Sequence, residues 1–345
     1  MHKRSTMLTR SPWHIGIAAS DHISAEPHTA PFIHEVGRIK NLMSDGKLTV
    51  LREVFTKVKQ NSVFRTIVNW DELEHKIFND NGNEVSEADF KDKVRLIFTA
   101  IGDRHGAFFY NGERLGMDQS WAKKLRIPEN QPDKVSLKTK VLEDGYGYIL
   151  LPSNNRYDSE TCQRYQDSLC SLGLATLKGL IIDLRLHQGG SVNPLFAGLN
   201  QLYGARYFGS NMNLDGKVFQ KWSTYNGAYG RNRVYNRCEA NNTLKIVVLT
   251  SQITASAGEM MAVALKGRSK TLFIGEPTCG LTTMNAIFTL GNNTLAVAAS
   301  IIADRKGNIY RDSVLPDLTI IEGDNFRDLS RDTKVAAALK WMKER

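Results

Sequence analysis

The 345-residue sequence predicts an α/β protein in two parts, a small helical bundle followed by a larger core in which strands and helices alternate. Three observations carry this. Apolar residues recur at helical spacing between about residues 35 and 111. From about residue 134 onward, short continuous apolar runs alternate with helical patterns. Between them, 112–133 is polar, contains Pro128 and Pro132, and shows neither period.

In the bundle, Leu48, Leu51, Val54, Phe55 and Val58 place one apolar stripe on a first helix. Asn69-Trp70-Asp71-Glu72 has the form of a capped helix start, with a carboxylate at the third position. Ser86 and Asp89 repeat it, and Phe90, Val94, Ile97 and Ile101 then share one face. Gly102 supplies the stop, so this helix delivers Asp103-Arg104-His105-Gly106. Residues 1–34 are expected to be a flexible lead-in. They hold a basic start, a short apolar run at 13–20 that loosely resembles an export signal, and a stretch rich in His, Pro and Ser. Residues 112–133 are too few for a further domain and read as a linker.

In the core, 134–345, strands are expected at 135–141 and 146–151 and a helix around Cys162, Tyr165, Leu169 and Leu172. A buried strand follows at 180–184, then a helix at 193–203. A second buried strand at 246–249, a helix at 256–266 and a third strand at 271–275 come next. Strands at 284–290 and 294–300 form a hairpin about Gly291-Asn292-Asn293, and a helix at 334–343 closes the chain.

Composition excludes several classes. At 41% apolar and 23% charged residues, the chain is not disordered as a whole. No run approaches the roughly 20 apolar residues of a membrane-spanning helix. The net charge of +9 is spread along the chain, without zinc-finger spacing or an aromatic-basic signature, so no nucleic-acid partner is expected. Cys162, Cys170, Cys238 and Cys279 contain no CxxC pair. Cys162 and Cys170 lie about 12 Å apart along a helix, too far to bridge. All four read as small buried apolar residues, and no metal site is expected.

Two loops carry chemistry-bearing patterns. Asp183-Leu184-Arg185-Leu186-His187-Gln188-Gly189-Gly190 follows a buried strand, and paired glycines there let the backbone aim N–H groups into a cleft, where they can hold an oxyanion. Thr254-Ala255-Ser256-Ala257-Gly258-Glu259 places a hydroxyl at a helix N-terminus, in the positive end of the macrodipole. Serine is also a common N-cap, and a glycine pair a common turn, so neither loop alone assigns a function. His105 is a third candidate. Gly275-Glu276-Pro277-Thr278 and Val314-Leu315-Pro316-Asp317 are two further turns that follow in order.

Taken together, these segments resemble the tail-specific, or C-terminal processing, serine peptidases, over roughly residues 35–345 and including the tricorn-like and retinoid-binding-protein-like branches. The resemblance implies a ClpP/crotonase-type core of ββα units behind the bundle. It implies acyl transfer: Ser256 as nucleophile, an oxyanion hole of Ala257 N–H with Gly189 or Gly190 N–H, and no cofactor. A branch of the family carries a lysine 25 residues after the serine, where this chain has Leu281. The tricorn-like branch uses a histidine from the bundle, which makes His105 the expected base. Asp312, ahead of the Pro-Asp motif, is the expected orienting acid; Tyr310 is the alternative occupant of the family's glutamate position, and the family's serine before the histidine is Arg104 here. His187 is the alternative base, and Glu259 is a further base or supporting carboxylate.

There is no room for the peptide-binding PDZ domain of many relatives. The expected function is thus a serine endopeptidase acting on peptides or unfolded protein C-termini. Two rivals are a catalytically weak member that binds peptides or apolar ligands in the same cleft, and crotonase-like CoA chemistry, against which a serine at the helix start argues. The family resemblance favours the bacterial cell envelope, with the cytoplasm as the alternative. No oligomeric state follows from the sequence.

Overall fold

The structure, a computed structural model, describes residues 46–79, 85–213, 215–225, 227–235 and 237–344. The expected lead-in 1–34 and the first residues of the expected bundle lie outside these.

Three helices come first: α1 (Lys47–Asn61), α2 (Trp70–Phe78) and α3 (Glu87–Ala100). The Asn69 side chain accepts the Glu72 N–H and Ser86 accepts the Asp89 N–H, which satisfies two otherwise orphaned donors. Next come strands β1 (Ala107–Tyr110), β2 (Glu113–Leu115), β3 (Lys138–Val141) and β4 (Tyr146–Leu150), helix α4 (Ser159–Cys170), strand β5 (Gly179–Asp183) and helix α5 (Asn193–Gly198). The chain continues through β6 (Tyr207–Met212), β7 (Val218–Ser223), a small pair β8 (Ala228–Tyr229) and β9 (Asn232–Arg233), and β10 (Ile246–Thr250). It ends with α6 (Ala257–Leu265), β11 (Thr271–Gly275), β12 (Thr283–Leu290), β13 (Asn293–Asp304), β14 (Ile309–Tyr310), β15 (Leu318–Thr319) and α7 (Thr333–Lys343).

Among the described residues these strands make two main sheets. One runs β15-β11-β10-β5-β4-β3 and is parallel except for β3. Both its faces are covered. Leu180, Ile182, Ile246 and Val248 pack on α4, α5 and α6, while Ile181, Val247, Leu249 and Ile274 pack on α7. Double burial is why these strands read as continuous apolar runs instead of alternating ones. In the second sheet the order is β2-β1-β13-β6-β7, with β12 and β14 also paired to β13. Every residue of α6 is buried, and its core includes residues of β5, β10 and β13.

The 12-residue β13 joins the two parts of the molecule. Its start pairs with β1, Ala107 opposite Ala296, and its end pairs with β6, Asp304 opposite Gly209. The bundle shares a core with this sheet: Leu51, Val54, Phe90 and Ile97 pack with Phe108, Leu295 and Val297. Its helices therefore bury their apolar stripes on the side chains of β1 and β13. The stretch expected as a bare linker contributes β2, turned back on β1 through Asn111 and Gly112, both at positive φ, as a tight hairpin requires.

Two features were not anticipated. Cys170 and Cys238 form a disulfide, with Cα atoms 5.4 Å apart, so the expectation of four unpaired apolar cysteines is corrected. Spacing excluded a Cys162–Cys170 bridge but says nothing of a partner brought from 68 residues away by the fold. Cys162 and Cys279 remain free and buried. The second is a buried ionic cluster beneath the parallel sheet's loops. The fully buried Arg185 guanidinium contacts Asp183 at 2.6 Å, Asp324 at 2.7 Å and Asp332 at 2.7 Å, and Lys334 adds a 2.7 Å contact to Asp324. Among the described residues no helix is long and apolar enough to cross a membrane.

Candidate active site

Adjacent parallel strands end on the same side of a sheet, and their following loops form a crevice there. β5 and β10 are such neighbours. Three hydrogen bonds lash their loops together. Ser251 Oγ donates to the Arg185 carbonyl at 2.6 Å, Thr254 Oγ1 to the Leu184 carbonyl at 2.9 Å, and Ala255 N–H to the His187 carbonyl at 2.9 Å. Ser256 follows directly, at the start of α6, with φ 53° and ψ −116°. A residue with a Cβ is strained at positive φ, and such strain persists only where the surroundings over-determine it.

Glu259 is one of those surroundings. Its buried carboxylate accepts the Ser256 N–H at 2.9 Å, Thr278 Oγ1–H at 2.5 Å, and the N–H groups of Gly280 and Leu281, both at 2.8 Å. Burial pushes its pKa up to about 7 against the pull of these four donors. Glu259 thus pins the Ser256 backbone to the loop after β11. Leu281, where a branch of the family has lysine, is buried and contributes a backbone donor.

Gly189 and Gly190 lie on the other side of Ser256, at φ 121° and 110°. A Cβ on Gly189 would stand 3.1 Å from the Ser256 Cβ, and one on Gly190 would collide with the Asn154 carbonyl. Glycine is required at both positions, for the close approach and for the backbone conformation.

His105 arrives from the bundle. The buried Asp103 carboxylate accepts the N–H groups of His105 at 2.8 Å, Gly106 at 2.7 Å and Ala298 at 3.1 Å, which ties the turn to β13. The imidazole then has Nε2 3.0 Å from Ser256 Oγ and Nδ1 2.9 Å from Thr283 Oγ1. A proton on Nδ1, donated to Thr283, leaves Nε2 as an acceptor for the serine hydroxyl. Burial lowers the His105 pKa to about 4, partly offset by the charge of Asp103, so the ring is neutral at ordinary pH. Beside it, Arg104 donates to the Gly280 carbonyl at 3.2 Å and lies over the Trp121 ring.

The structure brings together Ser256, His105, Ala257 and the glycine pair, drawn from both parts of the chain. It does not bring Asp312 to the imidazole: Asp312 is exposed, and Thr283 occupies the Nδ1 side. That expectation is corrected. Tyr310, the other position weighed, donates to Asp304. His187 is buried under the glycine turn, with Nδ1 engaged by Gly189 N–H at 3.3 Å, so it is not placed as a base for Ser256. Thr283 was missed, because a threonine opening a strand carries no local signal. Its place beside His105 is set by the pairing of β12 and β1 with the same strand, Thr283 opposite Ile301 and Ala107 opposite Ala296.

A mixed α/β scaffold with a small helical region, and a serine at a helix start facing a histidine, define the class of serine-type hydrolases. The chain belongs to peptidase family S41, whose pattern matches residues 145–320. Membership supports a serine protease. Among known proteins it is similar to the nisin-resistance protein of Lactococcus lactis subsp. lactis, 24% identical over 214 residues, which are 60% of this chain and 63% of that protein. The fold is similar to that of a lipoprotein from Streptococcus agalactiae, with a TM-score of 0.65, 20% identity and coverage of 88% of this chain and 98% of the other. It is also similar to the photosystem II D1 C-terminal processing protease, with a TM-score of 0.57, 14% identity and coverage of 80% and 93%.

Proposed function

We propose that this protein is a serine endopeptidase that cleaves peptides or unfolded C-terminal segments through an acyl-enzyme on Ser256. The observation that carries the reading is the 3.0 Å approach of His105 Nε2 to Ser256 Oγ across a sequence separation of 151 residues. Nε2 removes the hydroxyl proton as Oγ attacks the scissile carbonyl. The tetrahedral oxyanion is held by Ala257 N–H and an N–H of the glycine turn. The imidazolium then gives its proton to the leaving amine, and water releases the acyl group by the same route. Thr283 orients the ring in place of a carboxylate, which makes the catalytic unit a Ser–His pair with a hydroxyl behind it. The substrate lies extended across the cleft, pairing by its backbone with the loop edge beside Gly190. The disulfide suits an oxidising compartment such as the cell envelope.

The test is labelling with a fluorophosphonate, which reacts only with an activated serine. Wild type should label, Ser256→Ala should not, and His105→Ala should label at least 100-fold more slowly, in line with loss of a general base. Label retained in Ser256→Ala would remove Ser256 as nucleophile. An unreactive wild type that binds an apolar ligand would make the protein a binding member of the family.

A further inference from the structure

The glycine turn offers two amides, and the fold treats them differently. Gly189 is buried, and its N–H donates to Nδ1 of His187 at 3.3 Å. Gly190 is partly exposed, and its N–H has no partner among the described residues. Its direction follows from the parallel pairing of Asn154 with Gly190, in which Ser191 N–H donates to the Asn154 carbonyl at 2.6 Å. In such a bridge the residues flanking the paired one face the partner strand, and the paired residue's own N–H faces the opposite edge. Asn154 follows β4, and β5 lies between β4 and β10, so the opposite edge is the side of Ser256 and Ala257.

His187 is fixed tightly enough to enforce this choice. Its N–H donates to the Leu184 carbonyl and its own carbonyl accepts from Ala255, both at 2.9 Å. Its ring lies against the first turn of α6, where a Cβ on Gly258 would stand 2.9 Å from Nδ1. With Nδ1 accepting a hydrogen bond from the Gly189 N–H, the neutral ring carries its proton on Nε2, which is buried without a partner among the described residues. Burial lowers the pKa of this ring to about 4, so the accepting, uncharged form is the one present at neutral pH.

We propose that His187 is a positioning residue for the oxyanion hole: by accepting the Gly189 N–H it fixes the turn in the rotation that presents the Gly190 N–H, beside that of Ala257, to the substrate carbonyl. This rests on the serine-peptidase reading above and chooses between the two glycines that the sequence left open. What the position needs is an uncharged acceptor at the place of Nδ1. Asparagine supplies one, since its Oδ1 sits where Nδ1 sits. Leucine fills the space and accepts nothing.

The test compares wild type, His187→Asn and His187→Leu in hydrolysis of a p-nitrophenyl ester, with kcat and KM separated. His187→Leu should lose about 10²–10³-fold in kcat, the cost of one oxyanion donor, with KM within about twofold. His187→Asn should recover to within about tenfold of wild type. Equal rates in the two variants, whether both retained or both lost, would overturn the proposal, as would a loss confined to KM. A second measurement does not depend on activity or on the leucine variant folding. Nitrogen chemical shifts of ¹⁵N-labelled histidine should show His187 protonated at Nε2 and unprotonated at Nδ1; the reverse tautomer would overturn the positioning. A wild type that neither hydrolyses the ester nor takes the fluorophosphonate refutes the serine-peptidase reading and the catalytic consequence of His187, while the nitrogen shifts still decide what holds Gly189.

Discussion

Ser256 holds a backbone conformation that only glycine adopts without strain, and replacing it makes that strain measurable. At φ 53° and ψ −116° a Cβ costs roughly 1–3 kcal/mol, which the folded state bears because the Glu259 carboxylate and the lashed loops leave Ser256 no alternative. Ser256→Ala and Ser256→Gly both delete Oγ and its contact with His105, so their difference isolates the Cβ. Glycine ordinarily destabilises by about 0.5–1 kcal/mol relative to alanine, through its freedom in the unfolded chain. Subtracting that from the strain released leaves Ser256→Gly more stable than Ser256→Ala by about 1 kcal/mol, a reversal of the usual sign. Urea unfolding reads this directly. With a slope near 3 kcal/mol/M, the glycine variant should unfold about 0.3 M later, with the slope unchanged. Ala336→Gly, on the exposed face of α7, is the control and should shift the other way. If Ser256→Gly unfolds earlier than Ser256→Ala, the serine is not strained, and the geometry ascribed to the nucleophile is wrong.

Three further outcomes are expected. In the proposed mechanism His105 acts as the neutral ring, and burial holds its folded pKa near 4, so kcat/KM should climb with pH through about 4 and level off by about 6; a midpoint at 6.5 would mean a solvated ring. Arg185→Met should cost about 3–5 kcal/mol in urea unfolding, because it strands the buried carboxylates of Asp183, Asp324 and Asp332 without their shared cation, and a loss below 1 kcal/mol would contradict the cluster. Cys170→Ser should lower stability by about 4 kcal/mol, the chain-entropy value for a loop of 68 residues, and dithiothreitol should bring wild type to the same midpoint.

Much of the framework was legible in the chain. The Asn69 and Ser86 caps, the stripe Phe90–Val94–Ile97–Ile101, the buried runs that became β5, β10 and β11, and the hairpin of β12 and β13 all rest on local rules. Caps need a side chain within three residues, and a doubly covered strand needs only a short apolar run. The elements between 207 and 233 were not read, because their short strands mix buried and exposed positions without a clean period.

By itself the sequence marked the serine, the glycine pair and the histidine as candidates, because each is bound to a local conformation (a hydroxyl at a helix start, two glycines after a buried strand, a turn closing a helix), and it was their order along the chain, through the family resemblance, that gave them roles. It did not determine which groups face each other. That Thr283 and not Asp312 lies behind His105, that the Gly189 N–H meets His187 Nδ1, and that Cys170 meets Cys238 were decided by strand register and by loops packed from distant parts of the chain. A register is a cooperative property of whole strands: β13 sets it once for β1 and β12 together, and so brings the His105 imidazole and the Thr283 hydroxyl from the two parts of the chain to 2.9 Å. No single residue's neighbours in sequence encode that distance.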